Sequence, residues 1–89
     1  MSTLSQLIET AEHNPNFTTF QYLSCEPDLP LDFIEKYKDD LNWGLLTMYR
    51  KMPEWFMRKH IDKIRWEYVM FFQRPSDEFM VEMQIKGLI

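Results

Sequence analysis

The stretch that decides the fold is LNWGLLTMYRKMPEWFMRKHIDKIRW, residues 41–66. Phe20, Trp43 and Trp66 are evenly spaced along the chain, and we call their spacing of about 23 residues the repeat interval. Aligned without gaps, the chain divides into segment 1 (20–42), segment 2 (43–65) and segment 3 (66–89), which we predict to be copies of one structural repeat. The repeat interval also separates three phenylalanines that we expect in the core: Phe33, Phe56 and Phe79.

Each segment is predicted to contain two short helices. In the second half of each, the stripe positions are i, i+1 and i+4, continued at i+8 in segments 1 and 2, which is one face of a helix with about 3.6 residues per turn. Pro30 and Pro53 suit the first helical turn, and Ser76 can cap the corresponding helix of segment 3. The first half of each segment is shorter and more apolar. Only two glycines in 89 residues leave little material for β-hairpin turns.

Ahead of the segments, residues 2–12 are typical of an amphipathic helix, with a capping box between Thr3 and Gln6. We expect the region 1–15 to cover the exposed side of segment 1. The predicted fold is all-α, a single domain over 1–89. It is a small right-handed α-solenoid-like stack of three two-helix repeats of about 23 residues, preceded by the N-terminal capping helix. Segment 3 shows no matching cap, which predicts an apolar edge around Phe72, Phe79, Leu88 and Ile89.

Segment 2 and its borders carry a distinctive motif. It runs Leu41-Asn42-Trp43, Leu45-Leu46, Met52-Pro53-Glu54-Trp55-Phe56-Met57 and Ile64-Arg65-Trp66. Over residues 20–80 the pattern resembles the short Trp-headed helical repeats found in proteins of large DNA viruses and phages. Phe20 in place of the first Trp, and Arg65 in place of a capping Asp or Asn, depart from it. The resemblance implies a fold and a viral or phage accessory role, and it brings no catalytic residues.

The net charge of −4 is unevenly distributed: residues 1–42 carry −6, residues 43–75 carry +4 and residues 76–89 carry −2. We interpret this as a surface with two electrostatic faces. A sequence pI near 5.0 disfavours a general binder of polyanions. One cysteine, no signal-peptide pattern and no apolar run near the ~20 residues of a membrane span predict a cytoplasmic protein, in the host cytoplasm if viral.

Residues suited to catalysis are sparse. The sequence has two histidines, no Gly-rich phosphate loop, no HExxH and no EF-hand pattern. We therefore expect no enzyme activity, no cofactor and no metal site. His60 falls on the apolar stripe and is expected to pack in the core. Cys25 shares a repeat position with Met48 and Phe71 and is expected to be a small buried hydrophobe.

These features predict a non-catalytic protein–protein interaction module that inhibits or redirects a host protein. Exposed aromatic side chains beside basic ones have the composition of binding hot spots, and Met52 is expected to lie among them. The alternative is a nucleic-acid-binding module that uses the basic segment 2. The apolar edge of segment 3 is expected to mediate either self-association as a homodimer or docking of a partner, and a membrane partner is not expected. The predicted partner-binding residues are Tyr49, Arg50, Lys51, Trp55, Arg58, Lys59, Lys63 and Phe72.

Overall fold

The computed structural model describes residues 3–89, and over that range the chain is helical and contains no strand. The all-α prediction is therefore confirmed. Segment 3 begins with a short α-helix that continues directly into a π-helical turn, Val69–Gln73. The helices are α1 (Leu4–His13), α2 (Phe17–Ser24), α3 (Leu31–Lys36), α4 (Trp43–Tyr49), α5 (Glu54–Lys59), α6 (Trp66–Tyr68) and α7 (Asp77–Ile85).

The predicted capping box starts α1. The Oγ1 of Thr3 accepts a hydrogen bond from the N–H of Gln6 at 3.2 Å, and the Oε1 of Gln6 accepts one from the N–H of Thr3 at 2.8 Å. Two N–H groups that the helix itself leaves unpaired are thereby satisfied. Ala11 is buried, and α1 contacts α2. Met1 and Ser2, where the predicted N-terminal region and helix begin, lie outside the described residues.

The second helices of the three segments begin at Leu31, Glu54 and Asp77, and one repeat interval separates each start from the next. Ser76 caps the last of them by accepting a hydrogen bond from the N–H of Phe79 at 3.2 Å. The predicted core phenylalanines are confirmed, with exposed fractions of 6% for Phe33, 0% for Phe56 and 0% for Phe79.

The tryptophans make the same hydrogen bond at the same spacing. The indole Nε1 of Trp43 donates to the carbonyl of Lys38 at 2.7 Å, and that of Trp66 donates to the carbonyl of Ile61 at 2.9 Å. Each acceptor lies in the turn after the second helix of the preceding segment. One repeat interval separates the two donors and also the two acceptors, so the junction between neighbouring segments is built in the same way twice.

A buried hydroxyl closes each of these junctions. The Oγ of Ser24 donates to a carbonyl one helical turn earlier at 2.7 Å and accepts from the N–H of Asn42 at 2.9 Å. Thr47, one repeat interval later, repeats both contacts and accepts from the N–H of Arg65 at 3.4 Å. The last residue of segment 1 and that of segment 2 are thus each tied to the first helix of their own segment, immediately before the next segment begins. Segment 3 has Met70 at this position and does not repeat the bond.

The π-helical turn of segment 3 brings a buried amide to the end of α4. Gln73 is 7% exposed, and its Nε2 donates to the carbonyls of Thr47 at 2.7 Å and Arg50 at 2.8 Å. Its Oε1 accepts from the N–H of Met52 at 2.8 Å. One side chain therefore satisfies three backbone groups of segment 2, which an apolar residue would leave unpaired. Met52 itself is 6% exposed, so the expectation that it lies on the surface is wrong.

Helix α7 ends in a Schellman motif. Gly87 has a φ of 78°, its N–H donates to the carbonyl of Gln84 at 3.0 Å, and the N–H of Leu88 donates to the carbonyl of Met83 at 2.9 Å. Leu88 then packs against the core. This motif closes the end of α7 itself, whereas the cap expected to be missing from segment 3 is a covering helix, and α7 is the last helix within residues 3–89. Phe79 is fully buried and does not belong to the expected apolar edge.

One position of the first helices that the sequence predicts to be buried is exposed, and the residue before it is buried instead. Cys25 is exposed, at the C-terminal cap of α2, whereas Ser24 beside it is fully buried. Phe71, at the position equivalent to Cys25, is 69% exposed. The expectation that Cys25 is buried is therefore wrong, because the inward position of these helices holds the hydroxyl that closes the junction.

The first helices follow one another along the molecule. α1 contacts α2, α2 contacts α4, and α4 contacts α6 and the π-helical turn. The principal extents are 42 × 22 × 18 Å, so the molecule is about twice as long as it is wide. Within residues 3–89, every helix is too short or too polar to cross a bilayer.

Replacing Phe56 by Ala is expected to lower the free energy of unfolding by about 3–5 kcal/mol, because a fully buried ring leaves a cavity. Urea denaturation followed by circular dichroism measures the change. Phe17→Ala is the matched control, since that ring is 75% exposed, and it is expected to change stability by less than about 0.5 kcal/mol. Equal losses in the two variants would contradict the assignment of the core.

Ser24→Ala is expected to lower stability by about 1–3 kcal/mol, because the N–H of Asn42 loses its acceptor at a buried junction. The same urea experiment applies. Ser5→Ala, on the exposed side of α1, is the control and should leave the midpoint nearly unchanged. Should Ser24→Ala behave like this control, the hydroxyl does not hold the junction.

Candidate functional site

The structure places the predicted partner-binding residues in two groups. One lies where the first helices of segments 2 and 3 end and the second helix of segment 2 begins. We call this group the turn edge, and it consists of Tyr49, Arg50, Lys51, Trp55 and Phe72. The other group, on α5 and the turn after it, consists of Arg58, Lys59 and Lys63, and each member is paired with a carboxylate of another segment.

Arg58 forms a bidentate ion pair with Glu82 on α7. The Nε of Arg58 lies 3.1 Å from both carboxylate oxygens, and an Nη lies 2.8 Å from one of them. The guanidinium also lies 5.0 Å from the ring centre of Phe79. The hydrogen bonds from Arg58, with a smaller effect of Lys86, lower the pKa of the Glu82 carboxyl to about 2. Segments 2 and 3 are joined by this pair.

Glu35 joins α3 to α5. Its Oε1 lies 2.7 Å from the Nζ of Lys59 and 2.7 Å from the Nε2 of His60. These contacts, that of Lys59 above all, lower the pKa of Glu35. His60 is 4% exposed and packs against the rings of Trp43 and Phe56, so its expected place in the core is confirmed. Because an ionised carboxylate only accepts, the Nε2 of His60 donates this hydrogen bond.

Lys63 completes the set, with its Nζ 3.0 Å from a carboxylate oxygen of Asp39. In the pairs of Arg58, Lys59 and Lys63 the basic residue belongs to segment 2 and its carboxylate to a neighbouring segment. The alternation of negative, positive and negative segments therefore serves contacts between neighbouring segments. It does not by itself define a surface for an outside partner.

The turn edge exposes aromatic rings. Tyr49 is 50% exposed, Trp55 58% and Phe72 38%. Tyr49 and Phe72 occupy the same repeat position and end the first-helix regions of consecutive segments. Trp55 stands edge-on to a buried neighbour, Phe56, with ring centres 5.5 Å apart. Phe72 stands edge-on to Tyr68 at 6.1 Å. The rings of Trp55 and Phe72 are therefore supported on one side and open to solvent on the other.

Basic side chains hold the turn edge together. The Nε of Arg50 donates to the carbonyl of Leu29 in segment 1 at 2.7 Å, and its guanidinium also contacts the carbonyl of Lys51. The Nζ of Lys51 donates to the carbonyl of Gln73 in segment 3 at 3.1 Å. The connection between α4 and α5, which holds Arg50 and Lys51, is therefore bonded to the segments on both sides.

Sequence reasoning missed Ser24, Thr47 and Gln73, which close the junctions. A signal was present, because Ser24 and Thr47 occupy the same repeat position. Gln73 shares its position with Arg50, and both side chains reach back to the preceding segment. A repeated small hydroxyl on an otherwise apolar helix is typical of a buried polar group with a fixed partner.

A groove beside Lys63 has a volume of about 450 Å³ and is lined mainly by polar and charged groups of both signs, with Phe17 at its rim. Within the described range, residues 3–89, no group of three or more His, Cys, Asp or Glu side chains is placed to hold a metal ion. No protein-family model, curated protein or solved structure matches this chain.

The stability of the fold is expected to fall in acid through Glu82. Its pKa of about 2 lies below the ordinary value of 4.5, so its ionised form favours the folded state above pH 4.5. That contribution is lost as the pH falls through 2. In Glu82→Gln, urea midpoints measured from pH 7 to pH 2 should therefore fall less steeply than in the wild type.

Glu78→Gln is the matched control, since Glu78 lies on the same helix and forms no ion pair within residues 3–89. It should keep the wild-type pH dependence. An unchanged acid slope in Glu82→Gln would show that the pair with Arg58 does not stabilise the fold.

Proposed function

We propose that this chain is a non-catalytic protein–protein interaction module whose binding surface is the turn edge. The observation that carries the proposal is the set of three half-exposed aromatic rings, Tyr49, Trp55 and Phe72, near helix ends that hydrogen bonds from Arg50 and Lys51 hold in place. Aromatic side chains flanked by arginine and lysine are the composition enriched in binding hot spots.

The support beneath the rings favours binding. Arg50 and Lys51 tie the turns to neighbouring segments, and Trp55 rests against Phe56. A surface ordered before association loses less conformational entropy when it binds. A partner therefore meets rings on a backbone that is already ordered, with Arg50 and Lys51 beside them.

The proposal includes the architecture. The three segments are structural repeats in a short right-handed solenoid-like stack, a single domain in which α1 covers segment 1. Three kinds of contact recur from one junction to the next and support this arrangement: the indole bonds, the hydroxyl bonds and the ion pairs between segments. Stacked repeats of this kind expose an extended surface along one edge.

The biological role in this proposal follows the resemblance to viral helical repeats. The chain is a viral or phage accessory protein that acts in the host cytoplasm and inhibits or redirects a host protein by occupying its surface. Inhibition of that kind needs a fixed surface and no reacting groups.

The alternative, nucleic-acid binding through segment 2, is weakened by its own cations. Arg58, Lys59 and Lys63 each pair with a carboxylate of this chain, so phosphate would compete with an existing partner. Counterion release makes such binding strongest at low salt. A gel shift with mixed RNA and DNA at about 50 mM salt therefore tests this alternative, and we expect no shift.

The turn edge is tested with the triple variant Tyr49→Ala, Trp55→Ala and Phe72→Ala. Proteins retained from host extract by the immobilised wild-type chain are compared by mass spectrometry with those retained by the variant. The protein lost from the variant is then purified and titrated calorimetrically. We expect its affinity to fall at least tenfold, because hot-spot residues contribute more than about 1.4 kcal/mol.

Tyr22→Ala is the control, since this ring is 64% exposed but lies on α2, away from the turn edge. It should bind as the wild type does, and circular dichroism should show all variants folded. A partner that binds the triple variant within twofold of the wild type would place the interface elsewhere.

A further inference from the structure

Three positions in a segment carry polar links, either to the segment that follows or to the N-cap residue of its first helix. Ser24 bonds to Asn42, Glu35 pairs with Lys59 and His60, and Asp39 pairs with Lys63. Segment 2 uses the first two of these positions again. Thr47 bonds to Arg65, and Arg58 pairs with Glu82.

In segment 3 the same three positions are apolar. Met70 stands where segments 1 and 2 have a hydroxyl, Val81 where they have Glu35 and Arg58, and Ile85 where they have Asp39 and Asp62. Their exposed fractions are 53%, 52% and 81%. We call Met70, Val81 and Ile85 the end face. Each of them stands at a position that carries a polar link in segment 1, and each is open to solvent.

The surroundings of the end face extend its apolar character. Val81 and Ile85 are one helical turn apart on α7, so they share a side of that helix. Met70 borders a shallow cavity of about 300 Å³ whose other apolar walls include Phe71 and Ile89. Phe71 is 69% exposed and Ile89 36%. Exposed apolar side chains beside this cavity and along α7 favour an interaction site in segment 3.

We propose that the end face binds the identical end face of a second copy of this chain, giving a two-fold symmetric dimer. Because the three link positions hold no charge, an apolar face like their own complements them. In a two-fold interface the same surface is used on both copies, so the assembly closes at two.

Self-assembly in a head-to-tail arrangement is disfavoured by segment 1, at the opposite end of the chain. A head-to-tail contact would place the end face of one copy on segment 1 of the next. That side of segment 1 is covered by α1, which packs on α2 and buries Ala11. A head-to-tail contact would therefore meet α1 and not the link positions of segment 1.

Charge also favours contact through segment 3. The region 1–42 carries −6, and its helices α1 and α2 are separated from α6 by α4 in the order of helix contacts. Charge repulsion is screened over about 8 Å at physiological ionic strength, so a dimer joined by the end faces keeps the two acidic ends apart. The proposal does not rest on the turn edge, which shares no residue with the end face.

Sedimentation equilibrium on the full chain tests the dimer, at concentrations from about 10 µM to 1 mM, a range chosen because an interface of a few hundred Å² per copy is weak. The buffer contains a reductant, because Cys25 is exposed and can form a disulfide. We expect the mass to rise from 10.9 kDa towards twice that value and to level off there. Val81→Lys with Ile85→Lys should remain a monomer throughout.

Phe17→Lys is the matched control, because it places a charge on an equally exposed apolar residue away from the end face. It should dimerise as the wild type does. The amide NMR signals of Met70, Phe71, Val81 and Ile85 should shift with concentration in the wild type, and those signals should stay fixed in the double variant. A wild-type chain that stays monomeric at the highest concentration, growth beyond two copies, or loss of dimer in Phe17→Lys would each overturn the proposal.

Discussion

Every helix within residues 3–89 is too short to persist alone in water, so the fold depends on the junctions between neighbouring segments. The longest, α1, has 10 residues, and α3 and α5 have six each. Isolated helices below about 12 residues are marginal even with favourable sequences. Each therefore gains its stability from the neighbour on which it packs. The tryptophan indole and the buried hydroxyl at each junction fix where that neighbour begins.

The charge distribution of the chain also serves the contacts between neighbouring segments. A segment with excess positive charge lies between two with excess negative charge, and the ion pairs run from the middle segment outwards. Partly exposed pairs such as these contribute little individually. Their value lies in register, because a shift of one residue would separate all three. The surfaces open to a partner are those that this internal pairing leaves unused: the turn edge, which is aromatic, and the end face, which is apolar.

The sequence predicts the helices and their core well because both depend on periodic apolar residues. Phe33, Phe56 and Phe79 are spaced evenly and are all buried. Polar contacts are harder to foresee, because a hydrogen bond depends on geometry that residue type alone does not give. The π-helical turn is the clearest case: Gln73 points inwards only because the helix widens there. The predictions for Cys25 and Met52 are wrong for the same reason, since the buried hydroxyl and amide set the helix positions around them.

The eight predicted site residues illustrate how composition and geometry differ as guides to function. Sequence reasoning groups them because they are basic or aromatic and close in the chain. In the structure, Arg58, Lys59 and Lys63 serve the fold, whereas Trp55 on the same helix as the first two is open to solvent. A charged side chain satisfies an internal partner more readily than an aromatic ring does, because its attraction acts at longer range and needs less shape complementarity. In this chain the basic residues Arg58, Lys59 and Lys63 are therefore drawn into contacts between segments, and the exposed aromatic rings are the better guide to a binding surface.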